Sequence, residues 1–484
     1  MKIRSVALGV VLSAQDFVEV AGQSPLLQKF QAVGEHLASV GSKLFENTGF
    51  EVQTLRIYCN TFEEWLLPLL LSPYNMTLEE IVKKLDDALA SVDIGLCSIG
   101  NCQSDEAIAL VPKLLALSSR ISCSTVFHRN ESDSISVDHA KCIRVAKTCL
   151  AVAKDCGDLG NFRFCASFQC PDGIPFFPAA YRKAHHADSD RQPLLTIGLE
   201  SGDAVYQAFY GIPETCGTNS PHKQARENLR DIMLKACLSI QRSALAICEE
   251  RGILYGGTQS SHVYCHNQFV YLLLFLNLNC PFHLIALGID ASINPGLAAV
   301  DSVGAGLESL LPPVVAGQER LHCFGAMGTL ATVSTTTMAI KSLVNSTGDV
   351  FSNGYQYASA FSEGVDPKAV TVDSEHVKLV GYSGLMLPVM EDIILAQRAS
   401  EGRYNMRDLL TFSAVCGVGL DTVPIPGDTS AEALAGVYQE VATLAFRLNK
   451  PLSCRVLPMQ GKVAGDVTNV VSPYLCNTTV FAIP

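Results

Sequence analysis

The stretch Thr411-Phe-Ser-Ala-Val-Cys416-Gly-Val-Gly-Leu-Asp421-Thr-Val-Pro-Ile-Pro-Gly-Asp428-Thr429 packs a thiol, three glycines, two prolines and two carboxylates into one short connection. An apolar, strand-like run leads into Cys416. A Pro-x-Pro-Gly-Asp turn follows, and then a helix start, with Thr429 and Glu432 spaced as a capping box. Small, rigid and reactive residues gathered in this way predict a backbone shaped around something that it must approach closely.

Outward from this segment, helical and strand patterns alternate along the chain. Leu26 to Phe45 reads as an amphipathic helix, Thr54 to Tyr58 as a strand, and Leu78 to Ser91 as a helix capped by Thr77 with Glu80 three residues on. Strands at 93–99, 122–126, 162–168 and 194–199 alternate with helices at 106–118 and 137–156, and a long helix spans 220–252. The later half adds a short strand from His376 to Val380, helices at 391–401 and 406–414, and a final strand from Cys454 to Leu457. Near-continuous apolar strands between helices predict an α/β fold with parallel strands buried on both faces. With no long Pro/Gly/Ser linker, residues 1–484 read as one domain.

A hydrophobic content of 48% with 17% charged residues indicates a well-buried body of enzyme size. The net charge of −12 argues against a nucleic-acid binder, which needs a basic face to displace counterions. Eighteen cysteines are spread thinly with no Cys-x-x-Cys pair, which suggests reduced thiols in a cytoplasmic protein. The apolar run after Lys2 and Arg4 imitates a signal peptide but reads equally well as a first strand. The run Phe269 to Ile289 is interrupted by Asn277, Asn279, Pro281 and His283, so it is split into a helix and a buried strand.

Several groups carry possible chemistry. Cys416, Asp421 and Asp428 are the candidate catalytic residues. The thiol is the possible nucleophile and a carboxylate the possible acid or base. Structural roles compete: Cys416 in the core, Asp421 capping a turn, Asp428 capping a helix. Tyr382-Ser383-Gly384, followed by Glu391, lacks the spacing of a hydrolase elbow, so Ser383 is expected as a ligand contact. Asp290, Ser292 and Asn294 alternate at the end of a strand, where α/β folds place ligands. Gly328 and Thr329 open a helix suited to a ligand anion, and Thr332 to Met338 offers hydroxyls. The loop Asp172 to Pro178, with two phenylalanines, is a possible pocket wall, with His185 and His186 downstream. His262, Cys265 and His266 have metal-like spacing, but only the distant His322 and Cys323 could complete a set, so no metal is expected. The sequence specifies no cofactor.

The Cys416 to Thr429 segment closely resembles the signature of the uncharacterised DUF711 (UPF0210) family. The resemblance spans nearly the whole chain and is densest at 288–295, 325–331, 381–392, 416–429 and 455–466, where Arg455, Pro458, Gly461, Gly465 and Asp466 match a C-terminal strand and loop. It implies a single-domain α/β barrel similar to the ten-stranded barrel of pyruvate formate-lyase and ribonucleotide reductase, and adds Arg455 as a ligand contact. It implies no reaction. Insertions near 129–138, 185–192 and 211–279 set this chain apart. The chain end, Cys476 to Pro484, lacks the Arg-Val-x-Gly-Tyr-type segment of glycyl-radical enzymes, so a radical role is set aside. The expectation is a non-radical lyase, cyclase or hydrolase acting on a small polar metabolite, with secondary metabolism as a candidate setting. A non-catalytic ligand-binding protein is the alternative. A homodimer is expected from base rates alone.

Overall fold

The computed structural model describes residues 1–129, 137–184, 192–212, 220–252, 254–255, 288–311, 322–343, 377 and 379–484. His185, His186, His262, Cys265, His266, His376 and most of the apolar run 269–289 lie outside these residues. The architecture is mixed α/β, with twelve α-helices and ten strands among the described residues.

The ten strands, β1 (Lys2–Val10), β2 (Leu55–Cys59), β3 (Cys97–Cys102), β4 (Ile121–Phe127), β5 (Phe164–Phe168), β6 (Leu194–Glu200), β7 (Leu254–Tyr255), β8 (Ile289–Asp290), β9 (Gly419–Pro426) and β10 (Leu452–Met459), belong to one sheet. Its order is β7-β6-β1-β2-β3-β4-β5-β10-β9, with β8 branching from β6. The hydrogen-bonded path therefore has two ends. Beyond it, isolated parallel bridges join Ile289 to Leu379, Ile293 to Leu385, and Pro388 to Asp421.

The expected parallel pairing holds within two sets of strands but not between them. β1 to β5 run parallel to one another, but β6 pairs antiparallel with β1 and β10 antiparallel with β5. β7 and β8 follow β6, and β9 follows β10. The sheet thus consists of two sets pointing opposite ways. Burial on both faces conceals strand direction, because either set reads as an apolar run.

Local chemistry explains the helices. Pro25–Thr48 starts with Ser24, whose Oγ accepts from Leu27 N at 3.3 Å, and with a proline at its first turn. It ends at Gly49, whose φ of 75° suits a residue without Cβ. Leu26, Phe30, Val33, Leu37, Val40 and Leu44 form its buried stripe at spacings of three and four. Leu78–Ala90 carries the expected capping box: Glu80 N donates to Thr77 Oγ1 at 3.2 Å and Thr77 N to Glu80 Oε2 at 2.7 Å. These helices and Pro221–Arg251 cover the sheet and share one large apolar core with it.

The opening segment bears out the helix expected at 406–414 and differs in two details. The apolar run before Cys416 ends that helix, Met406–Ser413, rather than forming a strand, and the strand starts after the thiol, at Gly419. Pro424 and Pro426 lie inside that strand. β9 ends the hydrogen-bonded path, where a residue lacking N–H is tolerated. The next helix, Ala431–Arg447, is capped by Ser430 rather than Thr429. Ser430 Oγ accepts from Ala433 N at 3.1 Å, while Thr429 Oγ1 donates back to Pro426 O at 2.7 Å.

Candidate functional site: a charged cavity behind two strand bulges

β9 and β10 pair Leu420 with Cys454 and then Val423 with Val456. Asp421 and Thr422 therefore both oppose Arg455, which is a β-bulge. Thr422 adopts φ 45°, a left-handed conformation that is costly for a β-branched residue. A second irregularity lies between Ile3 and Ser5 on β1, leaving Arg4 as the extra residue against β6. Bulges re-aim side chains. Here they turn Arg4, Asp421 and Arg455 toward one cavity, and the consecutive Arg4 and Ser5 both line it.

The cavity holds about 710 Å³ of free space including its mouth. Asp290, Asn294, Glu391, Asp421 and Arg455 line it, with Phe162, Pro175, Phe176 and Phe177 as apolar walls. An outer cavity of about 920 Å³ adjoins it and shares Arg4, Arg56 and Glu391 with it. These three residues form the neck between the two spaces.

An alternating chain of charges crosses this neck. Arg4 reaches Glu200 at 3.2 Å and Glu391 at 2.5 Å, and it also donates to Pro295 O at 3.1 Å. The other oxygen of Glu391 accepts from Arg455 at 2.7 Å. Arg455 Nε donates to Asp421 Oδ1 at 2.6 Å. The guanidinium of Arg455 stacks 4.7 Å from the Phe162 ring centre and 5.2 Å from that of Phe176. The Asp421–Arg455–Glu391 part is almost fully buried.

Asp421 is the unsatisfied member. Its Oδ2 is buried and has no hydrogen-bond partner among the described residues. Burial pushes its carboxyl up to about 6, and the nearby Glu391 adds to the shift against the pull of Arg455 and Arg4. Burial opposes the charge on Arg455, yet Asp421 and Glu391 more than offset it and hold the guanidinium above its ordinary value. Loss of solvent at the neck, helped by Arg4, brings Arg56 down to about 9.

Asp290 is buried but well served. Its Oδ1 accepts from Ser383 N at 2.9 Å, Ser292 N at 3.0 Å and Ser292 Oγ at 2.5 Å, and its Oδ2 accepts from Tyr382 N at 3.3 Å. Burial raises its carboxyl, and these donors work against the rise. Asn294 donates to Leu199 O at 2.8 Å and so ties the loop after β8 to β6.

The remaining sequence-derived residues lie elsewhere and line neither cavity. Cys416 is 1% exposed and packs in the main apolar core, so the structure gives its thiol no access to the cavity. Asp428 is exposed on the turn after β9. Ser292 is committed to Asp290. Ser383 Oγ donates to Val380 O at 2.8 Å and accepts from Ala291 N at 3.2 Å, which fixes a turn. Tyr382 is buried, with its hydroxyl 2.9 Å from Cys170 Sγ and in contact with Ser453 Oγ. Gly384 lies against Gly417, where a Cβ would meet the Gly417 backbone at 2.8 Å. Gly328 caps the helix Thr329–Lys341, and Thr329 Oγ1 accepts from Gly325 N at 3.0 Å. The hydroxyls of Thr332, Thr335 and Thr336 turn back to their own helix. Among the described residues no group of three or more His, Cys, Asp and Glu side chains gathers as metal ligands. No helix among them is long and apolar enough to cross a membrane.

A family model described as "Uncharacterised ACR (DUF711)" matches residues 1–349 and 369–471. The chain belongs to the DUF711 family. Its UPF0210 relatives include a protein of Syntrophobacter fumaroxidans, 25% identical over 396 residues, with 80% of this chain and 70% of that protein covered. A UPF0210 protein of Lachnospira eligens is 24% identical over 489 residues, covering 96% and 87%. One from Pyrobaculum aerophilum is 29% identical over 307 residues, covering 63% of this chain and 51% of that protein.

In this DUF711 member, sequence reasoning missed Arg4, Arg56 and Arg163 as cavity residues. Arg4 and Arg56 stand at or near the starts of their strands, whereas α/β proteins are searched at strand ends. The usable signal was an arginine within an otherwise apolar strand.

Proposed function

We propose that this DUF711 member is an enzyme that moves a proton on a small polar metabolite held in the inner cavity, with Asp421 as its acid or base. One observation carries the reading: a buried carboxylate keeps an oxygen without a partner among the described residues, at a cavity that opens past Arg4, Arg56 and Glu391 into the outer space. A carboxyl raised to about 6 is mostly ionised at pH 7 and accepts a proton readily. Arg455, held by two carboxylates and two aromatic rings, fixes the direction of Asp421. Lyase, cyclase or hydrolase chemistry needs no more than such a proton transfer at its first step. The same reading takes the sheet as a closed ten-stranded barrel. The bridges Ile293–Leu385 and Pro388–Asp421 support it, because they link the branch at β8 to the free end at β9.

The test is a comparison of metabolite extracts incubated with the wild type and with Asp421→Asn. A metabolite consumed by the wild type is expected to turn over about a hundredfold more slowly with the variant, while thermal unfolding shows the fold intact. Equal consumption by both proteins removes Asp421 from the chemistry. Ligand retention without consumption by the wild type supports a binding protein instead.

A further inference from the structure

Pairing is nearly complete among the charged groups of the inner cavity. Arg455 is taken by Asp421 and Glu391, and Arg4 by Glu200, Glu391 and Pro295 O. Arg163 donates to the carbonyls of Leu115, Ser118 and Ile121. Asp290 has its donors on Ser292, Tyr382 and Ser383. Arg56 differs. Among the described residues its one hydrogen bond runs from Nε to Thr54 Oγ1 at 2.9 Å, and no carboxylate lies within ion-pair distance. Its guanidinium lies 5.1 Å from the centre of the Phe177 ring, which holds the plane in place. Both terminal nitrogens are left for an acceptor that the described protein does not supply. A half-buried guanidinium without an acceptor is costly, and a planar fork of donors matches a carboxylate.

We infer that the ligand of this cavity carries one carboxylate, seated on the terminal nitrogens of Arg56 at the neck, with its reacting end toward Asp421. This rests on the proposed function for the role of Asp421 but not for the seat itself. The number of charges follows from the surroundings. Arg56 offers one uncompensated positive charge, while Glu391 and Glu200 line the space beside it. A monoanion neutralises that charge. A dianion such as a phosphate monoester would bring a second charge with no unpaired cation to meet it among the described residues, because Lys2 and Arg4 are already held by Glu200 and Glu391.

The seat can be tested without a turnover assay. Phenylglyoxal labels accessible arginines, and peptide mapping by mass spectrometry follows each site separately. Arg56 is expected to react measurably in the wild type, more slowly than the exposed Arg407 and Arg447 that serve as internal references. Propionate is expected to slow it about tenfold, whereas propionamide and inorganic phosphate at equal ionic strength do not. Arg56→Met is expected to weaken propionate binding, read by isothermal calorimetry, about tenfold or more. Asp421→Asn should keep Arg56 protection, so the seat and the proton-transfer role can fail separately. Unslowed labelling with propionate, stronger protection by phosphate than by propionate, or unchanged propionate binding in Arg56→Met would each overturn the inference.

Discussion

Arg455 Nε lies 2.6 Å from Asp421 Oδ1 across a bulge in which two residues of β9 face one of β10. The pair leaves the second oxygen of Asp421 without a partner among the described residues, and burial, helped by Glu391 on the far side of the arginine, holds the carboxyl above its ordinary value.

Carbon-13 NMR of the Asp421 carboxyl should titrate near pH 6. The value lies above the roughly 3.9 of an unfolded chain. Folding therefore favours the protonated form. The associated stability is complete below about pH 4 and is lost as pH rises through about 6. Glu391→Gln removes the like charge, so the midpoint should move down. A midpoint that stays or rises would show that Glu391 does not set it.

Cys416→Ala should leave any turnover found for the wild type unchanged and cost about 1 kcal/mol in urea unfolding, as expected for a small buried side chain. Loss of turnover with an intact fold would return the thiol to the chemistry.

Gly417 meets backbone, not side chains: an added Cβ would lie 2.7 Å from Gly384 C and 2.9 Å from Leu385 O. Gly417→Ala should therefore destabilise the fold by about 1–3 kcal/mol in denaturant titration. A neutral result would mean that the two segments can separate.

Ser430→Ala should cost about 1 kcal/mol, and Ser430→Asp should recover most of it. Thr429→Asp in the Ser430→Ala background should not. Rescue from position 429 would move the helix start back to where the sequence pattern put it.

Helices were legible because their signals are local. The Thr77–Glu80 box and the apolar stripe of Pro25–Thr48 lie within a few turns of sequence. The acids that line the cavity were partly legible, since Asp290, Glu391 and Asp421 all stand in apolar surroundings that make a charge conspicuous. The bulges at Arg4 and at Asp421–Thr422 were not. They depend on register between strands far apart in sequence, and no residue type announces them. Ser383 misled because a serine beside Gly384 satisfies a strained turn, with φ 40°, as well as it would hold a ligand. Thr429 misled because its neighbour Ser430 can cap equally well and sits one residue closer to the helix.

The thirteen buried and two partly exposed free cysteines among the described residues have a practical use. They lie on β2, β3, β4, β5 and β10 and on the helices His139–Cys156 and Pro221–Arg251, among other places. Each buried sulfhydryl can be alkylated only when its own element opens. Timed alkylation with mass readout would therefore rank the opening rates of these elements in the unmodified chain, using reporters that nature has already installed.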